Sequence, residues 1–461
     1  MKNVIKYQGI LCIRIKIFFT HVLWDYPNKH LRYLRRKDMN PLLPENCFVP
    51  DAEARVMPDG RLYIYGSWDR SGAEHDDYCS HELHCFSTDD MEHWTDHGEI
   101  FRNTPEHPGL PWSSDVPLFA PDAIEKDGKY YLYLCAMHRK EGVAVADSPI
   151  GPFAPAEKIE IADGDGIDPS IFVDDDGQAY YFWGQFSLRG AKLADDMKTI
   201  LPETVTQGLL TEWEHGFHEG ASLRKRGNKY YMVYTDISRG KATCMSYAMA
   251  DSPLGPYKKG GVIVDNIGCD PQTWNNHGSI VQFGDQWYVL YHRSTHGSRM
   301  MRKACIEPIK FNEDGTINEV EMTSQGAGAP LNAFKPIYAA QACWMDGNVR
   351  IRRMANNPLK EELGAIRNGD VAAWKYLDFG TGAKKMSIQV KSGLGGEIIV
   401  RTDSPTGDVI GTFAIGSNAD WTEYQTEITP TSGIHALWME YKGPESDENE
   451  LFHIDRFTFV Q

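Results

Sequence analysis

Five acidic or imidazole side chains stand at corresponding places in the sequence, each shortly before a predicted hairpin turn. They are Asp51, Asp122, Asp168, Glu219 and His277. Carboxyl and imidazole groups are the side chains that most often donate and accept protons in catalysis. Any one of them alone would more often be a solvated or capping residue. Solvated residues, however, have no reason to recur beside Ala, Pro, Gly or Ser at the start of an apolar hairpin, so we expect the five to share one pocket.

The elements that must position these side chains form an internal repeat. Its five copies are FVPDAEARVMPDGRLYIYGS, LFAPDAIEKDGKYYLYLC, GIDPSIFVDDDGQAYYFWG, FHEGASLRKRGNKYYMVYT and NNHGSIVQFGDQWYVLYH. Each reads as a β-hairpin, because its turn glycine supplies the positive φ that tight hairpins need. The turn glycines are Gly60, Gly128, Gly177, Gly227 and Gly284, at spacings of 68, 49, 50 and 57 residues. Such spacings are typical of propeller blades, which take roughly 40–50 residues plus insertions.

If each copy is a blade, the five polar residues stand at the same end of successive inner strands. They precede their turn glycines by 9, 6, 9, 8 and 7 residues. A ring of such strands would bring four carboxyl groups and one imidazole to a common axis. Asp174, Asp175 and Asp176 are instead interpreted as hairpin-turn residues.

Composition excludes several classes of function. The 461 residues carry 47 Lys and Arg against 64 Asp and Glu, a net charge of −17, which argues against a nucleic-acid or anionic-membrane partner. The 9 cysteines are scattered and contain no C-x-x-C pair, so we interpret them as reduced thiols rather than disulfides or zinc ligands. Neither a phosphate-binding glycine loop nor an H-E-x-x-H helix is present.

The N-terminal segment differs in composition from the rest of the chain. Its apolar run, residues 17–24, is too short to cross a bilayer, which takes about 20 residues. An Arg-rich stretch with Arg32, Arg35 and Arg36 follows where a signal cleavage site would lie. We therefore interpret residues 1–38 as an extension outside the fold, with Met39 as the natural start, and expect a cytoplasmic protein. The alternative is a secreted or periplasmic protein whose N-terminal segment acts as a signal.

At the repeated acidic residues the sequence resembles glycoside hydrolase family 43, the inverting β-xylosidases, α-L-arabinofuranosidases and arabinanases with a five-bladed β-propeller. The resemblance covers roughly residues 40–325. It implies that Asp51 in VPDAEARV is the general base and that Glu219 in FHEGASL is the general acid. Asp168 in GIDPSIFVDDDG would orient the acid and raise its pKa. Inverting chemistry needs an acid and a base about 6.5–9.5 Å apart, a gap that residues of different blades can span.

The resemblance assigns further residues to the sugar site. Phe119 stands where the family has an aromatic residue, His277 in NNHGSIV matches a histidine beside a calcium ion or water cluster, and Arg293 in YHRS matches a sugar-contacting arginine. For Asp122, contact with a sugar hydroxyl and capping of its strand remain equal alternatives. A lone histidine at the start of a strand is more often a hydrogen-bonded structural residue than a ligand, and this alternative stays open for His277. No cofactor is required for the expected reaction.

The C-terminal region resembles family 6 carbohydrate-binding modules, which are β-sandwiches of jelly-roll form. Its short strands include MSIQVKS, GEIIVRTD, HALWMEYKG and FHIDRFTFV. Asp455 matches the closing strand of such modules, but the opening stretch IYAAQA lacks a carboxylate, which argues against calcium in this module. The aromatic residues there could stack on sugar rings or fill the core, and the core is the favoured interpretation. They are Trp374, Tyr376, Trp421 and Trp438.

Together these observations predict an all-β protein with an N-terminal extension (1–38), a propeller (39–325), a linker (326–336) and a sandwich (337–461). We expect an exo-acting enzyme that releases terminal α-L-arabinofuranose or β-D-xylose from plant-polysaccharide oligosaccharides. The insertions at residues 71–85 and 105–117 would close the pocket. An endo-arabinanase is the alternative within the enzyme class, and a non-catalytic carbohydrate-binding protein is the alternative outside it.

Overall fold

The N-terminal two thirds of the chain folds into successive antiparallel sheets. The computed structural model describes residues 32–35, 39–44, 46–70, 78–138, 140–161, 166–269 and 275–461. Arg32–Gln461 form one unit by their contacts, and every feature below belongs to it. The strands of the first two sheets, which are blades 1 and 2, are β1 (Arg32–Arg35), β2 (Glu53–Val56), β3 (Leu62–Ser67), β4 (Glu82–Thr88), β5 (His93–Arg102), β6 (Leu118–Lys126), β7 (Lys129–Ala136), β8 (Lys140–Ala146) and β9 (Glu157–Lys158).

Blades 3, 4 and 5 repeat the antiparallel arrangement. Their strands are β10 (Ser170–Val173), β11 (Ala179–Trp183) and β12 (Arg189–Lys192), then β13 (Phe217–Arg226), β14 (Lys229–Asp236), β15 (Cys244–Ala250) and β16 (Lys258–Asp265), then β17 (Ser279–Phe283), β18 (Gln286–Thr295) and β19 (Ser298–Ile309). A 3₁₀ turn (Pro202–Thr204) and a short helix α1 (Glu212–His215) connect blades 3 and 4.

The five inner strands close into a ring. Each of β2, β6, β10, β13 and β17 contacts the next, and β17 returns to contact β2. A parallel bridge between Ala52 and Gly278 joins the first and last blades. The predicted five-bladed β-propeller is therefore confirmed.

The hairpin turns and the apolar strands explain why the chain forms this ring. All five predicted turn glycines have positive φ, between 59° and 82°, where a side chain would be strained. The core lies between neighbouring blades: Leu83 of blade 1 packs with Leu132 of blade 2, and Leu290 of blade 5 packs with Ile64 of blade 1. Alternate residues of each strand thus fill the two faces of its blade.

The first blade begins earlier than the sequence predicts. Strand β1 pairs antiparallel with β5, with Arg32 opposite Asp96 and Arg35 opposite His93. Four residues of the segment expected to lie outside the fold are therefore an edge strand, because β5 offers an unpaired edge. Residues 1–31 and 36–38 lie outside the described residues, and the choice of Met39 as the start stays a prediction.

The C-terminal region forms two facing sheets. Its strands are β20 (Leu331–Asn332), β21 (Ile337–Tyr338), β22 (Trp344–Asp346), β23 (Arg350–Met354), β24 (Asn357–Gly364), β25 (Val371–Asp378), β26 (Ala383–Ser392), β27 (Gly396–Thr402), β28 (Val409–Ile415), β29 (Asn418–Thr431), β30 (Ile434–Lys442) and β31 (Phe452–Val460), with a 3₁₀ turn at Ala339–Gln341. One sheet has the order β20-β25-β30-β27-β28 with β22 also on β25, and the other has β23-β24-β31-β26-β29 with β21 also on β31. The predicted β-sandwich is confirmed.

Residues that are distant in the sequence form the core of the sandwich and pair with its first strand. Trp374 and Leu437 from one sheet and Ile388 and Phe457 from the other are almost fully buried between the sheets. Strand β20 pairs in parallel with β25, so part of the predicted linker (326–336) already belongs to the sandwich.

The sandwich packs directly on the fifth blade. The Lys303 ammonium group binds both carboxylate oxygens of Glu361, and these side chains are only 3% and 4% exposed. The His296 amide donates to the Ile351 carbonyl at 2.8 Å. The two domains are therefore joined by buried polar contacts.

Two further observations concern the whole of the described chain. No disulfide bond joins the eight cysteines within it, and Cys12 lies outside it. Across the same residues, the helices are too short and too polar for any of them to span a bilayer.

Candidate active site

A pocket of about 360 Å³ lies where the inner strands of the propeller begin. Five residues predicted for the site line it, and each comes from a different blade. They are Asp51, Phe119, Asp168, Glu219 and His277. The ring of inner strands thus brings together side chains that are up to 226 residues apart in the sequence.

Asp51 is a buried carboxylate held by two donors. Ser67 Oγ donates to its Oδ2 at 2.8 Å, and Arg302 Nη1 donates to its Oδ1 at 3.1 Å. Burial acts most strongly and would raise the pKa of Asp51, but Arg302, His277, His292 and the Ser67 hydrogen bond together outweigh it and hold this pKa below its ordinary value. Asp51 is therefore ionised at neutral pH, as a general base must be.

Asp168 and Glu219 face each other across the boundary between blades 3 and 4. The Gly220 amide donates to Asp168 Oδ2 at 3.1 Å, and Gln185 Nε2 donates to Glu219 Oε2 at 2.7 Å. Burial first, and then the charge of Glu219, raise the pKa of Asp168 well above its ordinary range. We expected Asp168 to raise the pKa of the predicted acid. In the structure, the repulsion between the two carboxyl groups raises the pKa of Asp168. Asp168 therefore keeps its proton at a pH where Asp51 has lost its own.

His277 packs between the predicted base and the predicted acid. Its Nδ1 lies 3.6 Å from Asp51 Oδ1, and Gly220 is required beside it because a Cβ there would come within 2.9 Å of the His277 ring. Burial lowers the pKa of His277, against the opposing charges of Asp51 and Glu219. The ring is a neutral hydrogen-bonding group beside both carboxyl groups.

The side chains around His277 do not by themselves build a calcium site. Calcium takes about 6–8 oxygen ligands. Within the described ranges, no group of three or more His, Cys, Asp or Glu side chains is placed to hold a metal ion. The nearby Asp51 already accepts hydrogen bonds from Ser67 and Arg302. Calcium at His277 stays a prediction from the family resemblance, and the proposed reaction does not involve it.

Asp122 does not line the pocket, so of its two alternatives the listing among the sugar-binding residues is wrong and a structural role remains. It is 1% exposed, accepts two hydrogen bonds from Arg55 Nη2 at 2.6 and 2.8 Å, and accepts another from the Ile171 amide at 2.8 Å. The reason is its register: Asp51 and Asp168 stand nine residues before their turn glycines, and the ninth residue before Gly128 is Phe119. Asp122 lies three residues deeper in the channel.

Arg293 is also turned away from the sugar pocket. It is 3% exposed, and its Nη2 donates to the Tyr291 hydroxyl at 2.5 Å and to the Thr323 carbonyl at 2.7 Å. Adjacent residues on a strand point to opposite faces. It is therefore the preceding residue, His292, that faces the axis, with its Nδ1 3.8 Å from Asp51.

Two arginines of β19 line the pocket, Arg299 and Arg302, and sequence reasoning missed both; Arg302 is the one that binds Asp51. Asp69 fixes it through the Arg302 backbone amide at 2.9 Å and through Nε at 3.0 Å, and Arg302 Nη2 also lies 3.3 Å from Cys79 Sγ. No local motif marks this residue, because its partners come from the first blade.

A second set of pocket residues that the sequence did not predict lies around Glu219. Gln185 and His218 line the pocket, and the His218 ring stacks edge-on with Phe186 at 5.1 Å between centroids. Because His218 directly precedes the predicted acid in the sequence, its place in the pocket could have been predicted. Residues 71–77 of the predicted pocket-closing insertion lie outside the described residues, while Tyr78 and Cys79 line the pocket.

The sandwich aromatics are mostly structural, as favoured from the sequence. Trp374 is fully buried and Trp438 is 7% exposed, and the Tyr376 hydroxyl donates to Glu321 of the preceding segment at 2.7 Å. Trp421 is partly exposed on β29. Asp455 on the closing strand is buried, and Arg456 donates to it at 2.6 Å, so this carboxylate is neutralised by a protein cation.

Comparison with known proteins agrees with this geometry. Residues 39–317 match the family model of glycosyl hydrolases family 43, and residues 339–461 match carbohydrate binding module family 6. A xylosidase/arabinosidase of Thermoclostridium stercorarium is 33% identical over 91% of this chain and 99% of its own. An arabinoxylan arabinofuranohydrolase of Paenibacillus polymyxa is 29% identical over 97% of this chain and 79% of its own.

Solved structures share the architecture. A family 43 arabinoxylan arabinofuranohydrolase from Bacillus subtilis, in complex with cellotetraose, superposes with a TM-score of 0.54 at 26% identity and covers 92% of this chain and 99% of its own. A β-xylosidase/α-arabinofuranosidase from a compost metagenome, in complex with xylotriose, superposes with a TM-score of 0.53 at 31% identity over 63% of this chain and 99% of its own. The chain therefore belongs to glycosyl hydrolases family 43, and it is a glycoside hydrolase that carries a family 6 carbohydrate-binding module at its C-terminus.

Proposed function

We propose that the protein releases a terminal pentose, α-L-arabinofuranose or β-D-xylose, from xylan- or arabinoxylan-derived oligosaccharides with inversion of configuration. The observation that carries this proposal is the split in ionisation within one pocket. Asp51 lies beside Arg302 and has a lowered pKa, whereas burial and the charge of the neighbouring Glu219 raise the pKa of Asp168. Inverting hydrolysis needs this combination of one base and one acid.

Glu219 is the proposed general acid. It donates its proton to the glycosidic oxygen as the bond to the leaving sugar breaks, and it is left as a carboxylate. Gln185 positions the Glu219 carboxyl group through a 2.7 Å hydrogen bond. Asp168, fixed by the Gly220 amide, places a second carboxyl group beside Glu219, where two negative charges would repel each other.

Asp51 is the proposed general base. It removes a proton from a water molecule that attacks the anomeric carbon on the face opposite the leaving group, which inverts the configuration. Arg302 and Ser67 hold the carboxylate in place. Phe119, on blade 2, provides an apolar wall for the terminal sugar ring.

The names of the relatives support the substrate class. They include xylosidase/arabinosidase and arabinoxylan arabinofuranohydrolase, and one related structure holds xylotriose. Both pentoses suit a pocket with the same three carboxyl groups, so the enzyme's preference between them follows from the walls of the pocket.

The test compares p-nitrophenyl and methyl glycosides of both pentoses with wild type, Glu219→Gln and Asp51→Asn. Loss of the acid should reduce kcat by about 10²–10⁴ on the methyl glycoside and much less on the nitrophenyl glycoside, whose leaving group needs little protonation. Loss of the base should reduce both equally. NMR of the first-formed sugar should show the inverted anomer.

Two outcomes would reject parts of this proposal. Activity on methyl glycosides that survives both substitutions would remove the catalytic assignments. Cleavage of polymeric arabinan by the wild type, without release of monosaccharide, would replace exo action with endo action.

A further inference from the structure

We propose that Phe186 and Trp213 form an aromatic rim that binds the pyranose ring of the leaving group, the sugar next to the scissile bond. This inference rests on the proposed role of Glu219 as the acid. Sugar rings present apolar C–H faces that pack on aromatic side chains, and aromatic residues supply large contact areas. The ligand is thus the second sugar of the substrate, outside the pocket that holds the terminal pentose.

The position of the rim indicates which sugar it meets. A general acid lies on the leaving-group side of the scissile bond, because it protonates the leaving oxygen. Phe186 directly follows Gln185, the donor to Glu219, and its ring packs on His218, which directly precedes Glu219. The rim therefore borders the acid.

The local backbone holds Phe186 in an exposed position. Its φ is +63°, a left-handed conformation that is strained for a bulky residue. The Phe186 amide donates to the His218 carbonyl at 2.7 Å, and the Glu212 amide donates to the Phe186 carbonyl at 2.9 Å. Two backbone hydrogen bonds thus secure this conformation, and the ring remains 47% exposed.

Trp213 extends the apolar surface beyond Phe186. It is 98% exposed on α1, whose first residue, Glu212, is the one bonded to Phe186. Single exposed apolar side chains are common and carry no inference alone. Here neither side chain fills the core or lines the pocket itself: Phe186 follows Gln185, which does line it, and Trp213 follows Glu212, whose amide binds Phe186.

Polar groups of the same rim can satisfy the hydroxyls of the bound sugar. Glu212 Oε1 lies 3.1 Å from His218 Nδ1, and both side chains remain partly exposed to solvent. An apolar platform beside a carboxylate and an imidazole is the arrangement that a neutral sugar ring requires.

The experiment compares two substrates that carry the same terminal pentose, a methyl glycoside and an oligosaccharide with further pyranose units. Trp213→Ala and Phe186→Ala should each raise KM for the oligosaccharide by about 10-fold and leave the methyl glycoside unaffected. Trp213→Phe should restore most of the loss. Ile434→Ala, an exposed apolar residue of the sandwich, is the matched control and should change neither.

The outcomes separate this inference from the proposed function. Unchanged oligosaccharide kinetics in both variants, or an equal loss on both substrates, would overturn the rim. Because Trp213 is almost fully exposed, its variant tests the rim even if Phe186→Ala disturbs folding. A wild type that cleaves neither substrate would reject the proposed function, and the rim with it.

Discussion

At the scale of single residues, the charge of the predicted base depends on one arginine that binds two carboxylates at once. Arg302 binds two carboxylates of the first blade: Asp69 accepts hydrogen bonds from its backbone amide, Nε and Nη2, while Asp51 accepts one from Nη1. Asp69 fixes the plane of the guanidinium group, and the remaining nitrogen, Nη1, favours the ionised state of Asp51. The acidic limit of activity should therefore depend on a residue that stands 251 positions from the base.

We predict that Arg302→Met moves the acidic limb of the kcat/KM profile upward by about 1–3 pH units, the usual effect of removing an adjacent opposite charge. Activity is lost as pH falls through the pKa of the base, and without Arg302 burial raises that pKa. The measurement is the pH dependence of kcat/KM, which reports groups of the free enzyme. Arg302→Lys, which keeps the charge, should shift the limb less; an unmoved limb in Arg302→Met would mean that Asp51 is not the base.

A second residue-scale prediction concerns Glu141, a carboxyl group that the proposed mechanism does not use. Burial raises the pKa of Glu141 to about 8, and the Tyr181 hydroxyl donates to it. The unfolded chain loses this proton near the ordinary value of 4.5, so stability falls as pH rises between these values. Glu141→Gln should remove up to about 1.4 kcal/mol of this loss per pH unit.

The measurement for Glu141 is the unfolding midpoint of both proteins from about pH 5 to about pH 8. The difference should grow in favour of Glu141→Gln as pH rises. Parallel curves would contradict a raised pKa at this position.

The residue scale also shows what the sequence could predict. The repeat correctly brought Asp51, Asp168 and Glu219 to one pocket, because hairpins of similar length place equal positions at equal depth. The repeat failed at Asp122, where the depth in the channel changes by three residues. The family resemblance supplied Phe119, which does line the pocket, but it failed at Arg293, because it does not give the face on which a side chain of β18 lies.

At the scale of elements, a polar network below the pocket connects the inner strands. Arg55 on β2 binds Asp122 on β6 and the Ile171 carbonyl on β10, and Arg224 on β13 binds Glu53 and the Ala54 carbonyl on β2. A closed ring leaves a central channel that apolar side chains alone do not fill. Buried charges there are tolerated because each has a partner.

We predict that Asp122→Asn destabilises the protein by about 3 kcal/mol, since it leaves Arg55 without its main counter-charge. KM should stay unchanged in the folded fraction, because Asp122 does not line the pocket. Chemical unfolding and steady-state kinetics provide the two measurements. Asp147→Asn, which removes an exposed partner of Lys129, is the control and should leave stability almost unchanged; a raised KM in Asp122→Asn would restore the sugar-contact assignment.

Elements defined by local signals were predictable, and those defined by distant partners were not. The five hairpins follow from turn glycines and alternating apolar residues. Strand β1 exists only through the edge of β5, and β20 only through β25. Neither short segment carries a strand pattern of its own. The sequence therefore predicts a longer extension and a longer linker than the structure has.

At the scale of the whole molecule, the buried pair of Lys303 and Glu361 couples the propeller to the sandwich. We predict that Lys303→Met lowers stability by about 3–5 kcal/mol, because it removes the lysine that neutralises the buried Glu361 carboxylate. The double variant Lys303→Met with Glu361→Leu should recover most of this loss, because an apolar pair of similar volume removes the buried charge as well. Calorimetric unfolding checks both; a double variant no better than the single one would contradict the pairing.

The bridge between Ala52 and Gly278 has a consequence for synthesis on the ribosome. Asp51 emerges early, whereas Arg302, which holds it ionised, is translated 251 residues later. A nascent chain that stops anywhere before the last blade carries the base without its arginine and without the wall formed by His277. Premature termination in that interval therefore yields a fragment whose pocket lacks both Arg302 and the last blade.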